Sequence, residues 1–314
     1  GYKSRANKTV WIFTIVYFGI TIAAFFCYWI AGMEPFDALN HAFSVTATGG
    51  FSTKNLSIAS YNSAAINLIT MFFMLVASIH FGIIYMVFAT RSLKPLNNPV
   101  LKYYVSAIIV SAILVSLSLK FQSAGFTWGQ SFMTGFFHVI SSISTTGFAI
   151  SDNNTWPLFA CIITILITIP CGMAGSTTGG IKADRMLLIF KTIGQQVKNA
   201  VHPSSINRLH IGNHILDKDE IYPHVVFMCL YLITIGASVA LTILSGMDVQ
   251  NAVATSISCL SNVGPALESV GTLGNFNGVP VLAKITFIFD MFLGRVEIYP
   301  ILAVSMMIFS GKNR

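Results

Sequence analysis

The sequence predicts an all-α integral membrane protein made of repeated units. Each unit has a spanning helix, a short helix that enters the membrane part-way, and a second spanning helix. Composition is the first observation behind this prediction: the 314 residues are 54% hydrophobic and 9% charged, with a mean hydropathy of +0.72. Soluble domains carry about 25% charged residues. The other two observations are a series of long apolar stretches and a sequence motif, here called the phrase, that occurs three times between them.

The apolar stretches have the length of membrane spans, for which about 20 residues suffice. The uncharged ones are 9–33, 55–90, 103–119, 153–181 and 221–247. A further apolar stretch, 287–309, contains one cation, Arg295. A soluble protein would not need these stretches, so each is predicted to lie in the membrane.

Positive charges are concentrated in alternate loops. Fourteen of the eighteen Lys and Arg residues lie before the first stretch, between the second and third, after the fourth, or at the C-terminus: Lys3, Arg5, Lys8, Arg91, Lys94, Lys102, Lys182, Arg185, Lys191, Lys198, Arg208, Lys218, Lys312 and Arg314. Because cytoplasmic loops carry the excess of Lys and Arg in membrane proteins, we expect both termini in the cytoplasm. The net charge of +7 is therefore interpreted as an orientation signal and not as evidence for nucleic acid binding.

The repeated phrase reads HAFSVTATGGF at 41–51, HVISSISTTGF at 138–148 and, in altered form, TSISCLSNVGP at 255–265. A serine lies six residues before a glycine in every copy: Ser44 and Gly50, Ser141 and Gly147, Ser258 and Gly264. Each phrase lies between two apolar stretches, so the repeating unit is about 100 residues long. Such internal repetition predicts the architecture before other details are considered.

A short helix is predicted at the start of each phrase. Pro35, Thr127 and Asp248 open these helices, because Thr and Asp cap a helix and Pro fits its first turn. About twelve residues at 1.5 Å each cross only half of the membrane, and the chain then returns through glycine-containing polar segments. Non-helical backbone at this depth requires a wet cavity or burial in protein. The negative end of each helix and a ring of carbonyls beyond it would suit a cation.

Two histidines occupy equivalent positions in the phrases. His41 and His138 are matched by Thr255 in the third copy. We interpret them as packing or hydrogen-bonding residues of the short helices rather than as metal ligands. The plain alternative for the phrases themselves is a tight turn between apolar hairpins.

A glycine-rich segment, CGMAGSTTGGI, follows Pro170 inside the stretch 153–181. Its glycines are Gly172, Gly175, Gly179 and Gly180, and its polar residues are Ser176, Thr177 and Thr178. Each glycine costs about 1 kcal/mol in a helix, so we expect the helix to break at 171–180 and form a polar flap; a simple kink is the alternative. A phosphate-binding loop is rejected, because Ile181 stands where that motif needs Lys and no strand precedes it.

Arg295 is the second unusual feature of the predicted spans. A buried cation in a membrane costs a few kcal/mol or more unless it is paired or hydrated. Asp290 and Glu297 are too far around the helix to share its face, so its partner should come from another element. A structural salt bridge between helices is the alternative to a functional role.

Five motifs, taken as an ordered set, resemble the Trk/Ktr/HKT superfamily of potassium and sodium transporters, in particular its bacterial Trk-type subunits. They are TATGGFSTKN, STTGFAISDN, CGMAGSTTGGIKADR, SNVGPALESVG and DMFLGRVEIYP, and the resemblance covers essentially the whole chain. It implies span, pore-helix, span repeats around a pseudo-fourfold ion pore, of which three of four are present here. Because the first repeat is missing, we expect the sequence to be part of a longer protein.

The resemblance implies three domains and a set of site residues. Residues 1–98 would be the second repeat, with its filter at 47–53; 99–220 the third, with a gating break at 171–180 and a cytoplasmic linker; and 221–314 the fourth, with its filter at 261–267. The implied filter, which would bind K⁺, consists of Thr48, Gly49, Gly50, Thr145, Thr146, Gly147, Asn262, Val263 and Gly264. The implied gate consists of Gly172, Gly175, Ser176, Thr177, Thr178, Gly179, Gly180 and Arg295.

The same resemblance implies a potassium uptake subunit that is not an enzyme. It would be a homodimer in the bacterial inner membrane, with no cofactor of its own and with nucleotide acting only through a cytosolic regulatory ring. A sodium or non-selective cation transporter of the same family is the first alternative, and symport and channel mechanisms both stay open. An intramembrane hydrolase using Ser176 and His80 is a distant alternative without a supporting motif, and a non-transporting receptor is another.

Overall fold

The computed structural model describes residues 2–123, 125–202, 209–211, 214–216 and 218–310. Parts of the predicted cytoplasmic linker, and the basic residues Arg208, Lys312 and Arg314, lie outside the described residues. The described helices are α1 (Tyr2–Ile30), α2 (Pro35–Thr46), α3 (Ala64–Ser78), α4 (Phe81–Thr90), α5 (Pro99–Gln122), α6 (Trp128–Ile143), α7 (Leu158–Leu166), α8 (Ala183–Val201), α9 (Lys218–Leu244), α10 (Val249–Ser261), α11 (Val281–Val296) and α12 (Ile298–Ser310).

The helical architecture confirms the predicted all-α membrane fold, with one small addition. Strands β1 (Leu209–Ile211) and β2 (His214–Leu216) form an antiparallel hairpin in the linker. Three of the described helices are long and apolar enough to cross a membrane, and they span Thr9–Ile30, Pro99–Gln122 and Asp219–Leu244.

Helices α3 and α4 together are also long and apolar enough to cross a membrane, but their axes are bent by 97° relative to one another. The stretch 55–90 is therefore not one straight span. The break falls at Ile79 and His80, and the His80 ring helps to start α4 because its Nδ1 accepts the Gly82 N–H at 2.8 Å. This break leaves backbone groups at the end of α3 free to bind another segment.

The three short helices begin where the local signals predict. Helix α6 has a full capping box, in which the Thr127 side chain accepts the Gln130 N–H and the Gln130 side chain accepts the Thr127 N–H. Helix α10 is capped by Asp248 and α2 begins with Pro35. The helices have 12, 16 and 13 residues, so each is too short to span. Each packs against the long helix before it: α2 on α1, α6 on α5 and α10 on α9.

Two predicted spans are shorter in the structure than the sequence suggests. The stretch 153–181, which the structure describes throughout, contains one α-helix, α7, and the chain has no α-helix from 167 to 182. The stretch 287–309 is divided between α11 and α12 at Glu297, whose φ is 67°. Pro300 gives the physical reason, because in a continuous helix its ring would clash with the carbonyl of Val296; placed in the first turn of α12, it is tolerated.

Candidate functional site

The three segments that follow the short helices share one backbone pattern. A residue with positive φ is followed two positions later by a glycine with positive φ. The angles are 52° and 69° for Thr48 and Gly50, 53° and 84° for Thr145 and Gly147, and 61° and 100° for Asn262 and Gly264. The left-handed conformation costs a residue with a Cβ roughly 1–2 kcal/mol, so its recurrence at the same position indicates that the surroundings impose it.

Hydrogen bonds to the repeated serines hold these segments. The residue before each glycine donates its N–H to the serine carbonyl of the same copy: Gly49 to Ser44 at 2.8 Å, Thr146 to Ser141 at 2.9 Å, and Val263 to Ser258 at 3.0 Å. In two copies the serine hydroxyl also donates to the carbonyl just after the glycine: Ser141 to Phe148 at 2.7 Å and Ser258 to Pro265 at 2.6 Å. The spacing of six therefore has a structural cause that the sequence alone did not reveal.

The glycines allow neighbouring segments to approach closely. A Cβ placed on Gly50 would overlap the carbonyl oxygen of Thr146, and one on Gly147 would overlap that of Val263. Among the described residues, no heavy atom lies within 4 Å of a Cβ placed on Gly264. The three segments thus lie side by side: Gly50 and Gly147 each face the carbonyl of the next segment, whereas no described residue lies against Gly264.

The two histidines support the returning chain. His41 bonds the Asp37 carbonyl through Nδ1 at 2.7 Å and Ser52 Oγ through Nε2 at 2.9 Å. His138 Nε2 accepts the Ile150 N–H at 3.3 Å. Among the described residues, no group of three His, Cys, Asp or Glu side chains could hold a metal ion. The histidines therefore hold the segment beyond each glycine in place.

The glycine-rich segment 171–180, here called the loop, lies against all three left-handed residues. Its Thr177 carbonyl accepts the Thr48 hydroxyl at 3.0 Å, and its Gly179 N–H donates to Thr145 Oγ1 at 3.0 Å. A Cβ on Gly179 would come within 2.7 Å of the Asn262 side chain. These contacts place the loop at the N-terminal end of each of the three segments, which we call their base.

The break between α3 and α4 holds the other side of the loop. Met173 donates its N–H to the Ser78 carbonyl at 2.9 Å, and Phe81 donates its N–H to the Gly175 carbonyl at 3.0 Å. Gly175 has a φ of 75°, and a Cβ there would lie 2.7 Å from the His80 ring. Backbone groups that a continuous helix would pair internally are thus paired with the loop.

Side chains within the loop bond one another. Ser176 Oγ donates to the Met173 carbonyl at 2.6 Å and pairs with Thr178 Oγ1 at 2.8 Å. A serine nucleophile would need a hydrogen bond from Ser176 to a base. His80 Nδ1 is instead engaged with Gly82, so the described geometry offers no support for the hydrolase alternative.

Arg295 reaches the loop from α11. One of its guanidinium nitrogens donates to the Thr177 carbonyl. Neither nearby acid pairs with it, because Glu297 forms an ion pair with Arg185 at 2.6 Å and Asp290 accepts a hydrogen bond from Ser238. The side chain is exposed in this chain, unlike the buried cation expected from the sequence.

The exposure of Arg295 follows from the packing of α11. Met291 and Phe292 on the same helix are also exposed, so the described residues leave this part of α11 uncovered. The adjacent Gly294 is buried, and a Cβ there would overlap the Leu260 carbonyl of α10.

Comparison with known proteins identifies the family. A family model described as "Cation transport protein", TrkH, matches residues 3–313. The chain is 31% identical to the Trk system potassium uptake protein TrkH of Escherichia coli K12, over 96% of this chain and 62% of that protein. It is 30% identical to TrkG of the same strain, over 97% of this chain and 61% of that protein.

A solved structure is also similar. The crystal structure of the potassium transporter TrkH from Vibrio parahaemolyticus matches with a TM-score of 0.88 and 30% identity, covering 96% of this chain and 64% of that one. The chain thus spans less than two thirds of the length of the relatives it matches. With a family match along nearly its whole length, the chain belongs to the TrkH family of cation transport proteins.

Proposed function

We propose that this chain forms part of the ion pathway of a potassium transporter. Relatives at 30–31% identity are named as potassium uptake proteins. The observation that carries the proposal is the repeated segment in which a left-handed residue is followed by a glycine with positive φ, together with the close approach of Gly50 and Gly147 to the carbonyl of the next segment. Backbone segments that approach this closely can present carbonyls that replace the water around a cation, as a selectivity filter does.

The backbone hydrogen bonds support a filter function for these segments. The serine carbonyls take up the N–H groups of Gly49, Thr146 and Val263. Within the described residues, the carbonyls of Thr146 and Val263 have no hydrogen-bond donor, although both residues are buried. Buried carbonyls normally have a partner, and a K⁺ ion would supply one. The proposed filter comprises Thr48, Gly49, Gly50, Thr145, Thr146, Gly147, Asn262, Val263 and Gly264.

The loop is proposed as the gate of this pathway. It bonds Thr48 and Thr145 at the base of the filter segments, so an ion leaving the filter would meet it. Arg295, bound to the Thr177 carbonyl, adds a positive charge that opposes a cation at this point. The gate would open when the loop leaves these partners.

The assembly is proposed from the resemblance. Residues 1–98, 99–220 and 221–314 would be three pore repeats, both termini would be cytoplasmic, and the protein would work in the bacterial inner membrane as a homodimer. Nucleotide would act through a cytosolic regulatory ring and not on this chain. Light scattering of the detergent-solubilised protein would test the dimer directly.

Ion uptake by the complete transporter in liposomes tests the proposal. We expect rubidium uptake, used as the measure of potassium transport, to exceed the baseline of protein-free liposomes and to be inhibited by external K⁺ more strongly than by Na⁺. Absence of uptake from folded protein would contradict transport. Equal inhibition by the two ions would favour the alternative of a sodium or non-selective transporter.

A further inference from the structure

The residues just after the loop hold it at three points. Lys182 precedes the first residue of α8, and its ammonium group donates to the Thr178 carbonyl and lies 3.3 Å from Thr178 Oγ1. Ala183 donates its N–H to the Gly172 carbonyl at 3.0 Å. Asp184 accepts the Ala174 N–H through Oδ2 at 2.6 Å. Three consecutive residues thus bind both ends of the loop.

The chemistry of the two charged residues matches their partners. Lys182 is a donor and binds a carbonyl, whereas Asp184 is an acceptor and binds an N–H. Hydrogen bonds with one charged partner are roughly twice as strong as neutral ones. Asp184 also lies in the first turn of α8, where the helix dipole favours a negative charge.

Arg185, the next residue, binds the first turn of α8 to other parts of the protein. Arg185 pairs with Glu297 at 2.6 Å, in the break between α11 and α12. Its guanidinium also lies over the Phe227 ring, 4.1 Å from the centroid. The first turn of α8 is therefore anchored independently of the loop that it holds.

Two cations bind successive carbonyls of the loop. Arg295 binds Thr177 and Lys182 binds Thr178, although the two cations come from different parts of the chain. Adjacent carbonyls that each carry a cationic donor are less free to turn toward a passing ion or to leave their position.

We propose that Lys182 and Asp184 are positioning residues that clamp the loop in its closed position. This rests on the proposed gate function of the loop. Removing either side chain would free one end of the loop and shift its equilibrium toward the open state. The hydrogen bonds of these two side chains go to the loop and not to the proposed filter segments, so we expect ion preference not to change.

Rubidium flux into proteoliposomes containing the complete transporter tests the clamp. We expect Lys182→Met and Asp184→Ala each to raise flux by about tenfold, the shift expected from losing a hydrogen bond to a charged group. Lys182→Arg should restore the low flux because it keeps a cationic donor. Lys191→Met is the matched control, since Lys191 lies on α8 and bonds the distant His210 carbonyl at 2.7 Å.

Thiol labelling gives a readout independent of transport. With Cys27, Cys229 and the loop's own Cys171 replaced by Ser, the modification rate of Ser176→Cys reports how exposed the loop is. We expect Lys182→Met to accelerate labelling and Lys191→Met not to. Lys182→Gln serves if the Met variant does not fold.

The outcomes separate the clamp from the gate. If Arg295→Ala raises flux while the Lys182 and Asp184 variants leave flux and labelling unchanged, the clamp is overturned and the gate stands. If labelling accelerates but no loop variant alters flux, Lys182 does hold the loop in place, and the proposal that the loop gates ion flux is contradicted.

Discussion

The guanidinium of Arg295 donates a hydrogen bond to the carbonyl of Thr177, 118 residues earlier in the chain. The same carbonyl accepts the Thr48 hydroxyl at 3.0 Å. One oxygen of the loop therefore joins α11 to the segment that follows α2.

Arg295→Ala, and separately a loop shortened between Gly175 and Gly179, should each raise rubidium flux several-fold. Both changes remove contacts that hold the loop against the proposed filter segments. Since they act on one barrier, their effects should not add. Flux into proteoliposomes measures the effect, with an elution volume in detergent equal to that of the unmodified protein as the control for folding. If both variants fold and neither raises flux, the loop is structural.

Gly147→Ser should reduce the preference for K⁺ over Na⁺. Gly147 has a φ of 84°, and a Cβ there would overlap the Val263 carbonyl, so two of the proposed filter segments must separate or twist. Competition between the two ions for rubidium uptake measures the preference. Gly236→Ser is the control, because that glycine lies in α9 and the described residues leave open space around it. An unchanged preference in folded Gly147→Ser protein would refute the filter assignment.

Ser141→Ala should lower the thermal stability of the protein. Its hydroxyl donates to the buried Phe148 carbonyl at 2.7 Å, and leaving such a group unpaired costs about 1–3 kcal/mol. Ser44 occupies the same position in the first copy, but its buried hydroxyl has no partner among the described residues. Ser44→Ala should therefore leave the thermal stability nearly unchanged. Fluorescence-detected melting of the two variants side by side measures the difference, and equal losses would contradict the assigned role.

Asp290→Leu should destabilise the protein more than Asp290→Asn. The Asp290 carboxyl is buried and accepts the Ser238 hydroxyl, and Ser238 lies 3.0 Å from Ser256. It thus links α11 to α9 and α10. No Lys, Arg or His of the described residues lies within 4 Å of the carboxyl, so a neutral amide can replace it. Leu would remove the acceptor at a cost of about 1–3 kcal/mol. The melting temperatures of the two variants measure the difference, and a melting temperature of Asp290→Leu equal to or above that of Asp290→Asn would contradict the prediction.

Much of the local structure could be predicted from the sequence. Thr127 and Asp248 cap α6 and α10 where expected, because a cap depends on residues only two or three positions away. The register of Gly50, Gly147 and Gly264 was visible as spacing alone, and the three glycines share positive φ. The family was recognisable from the ordered motifs.

The positions at which the apolar stretches break into two helices were harder to predict from the sequence. Pro300 could have indicated the end of α11, whereas nothing near Ile79 and His80 predicts the 97° bend between α3 and α4. That bend depends on the loop, which supplies partners for the backbone groups of Ser78 and Phe81. A helix can end inside a membrane only where such partners exist, and these lie about 100 residues away in the chain.

The sequence by itself determined the membrane character, the three short helices and the positions of the glycines, because apolar length, capping and a missing Cβ act locally. Only the tertiary structure decided that Gly50 and Gly147 face neighbouring carbonyls and that Arg295 and Lys182 bind successive carbonyls of the loop. Those contacts join residues far apart in the chain. They form only when separate helices pack, and no local spacing specifies that packing.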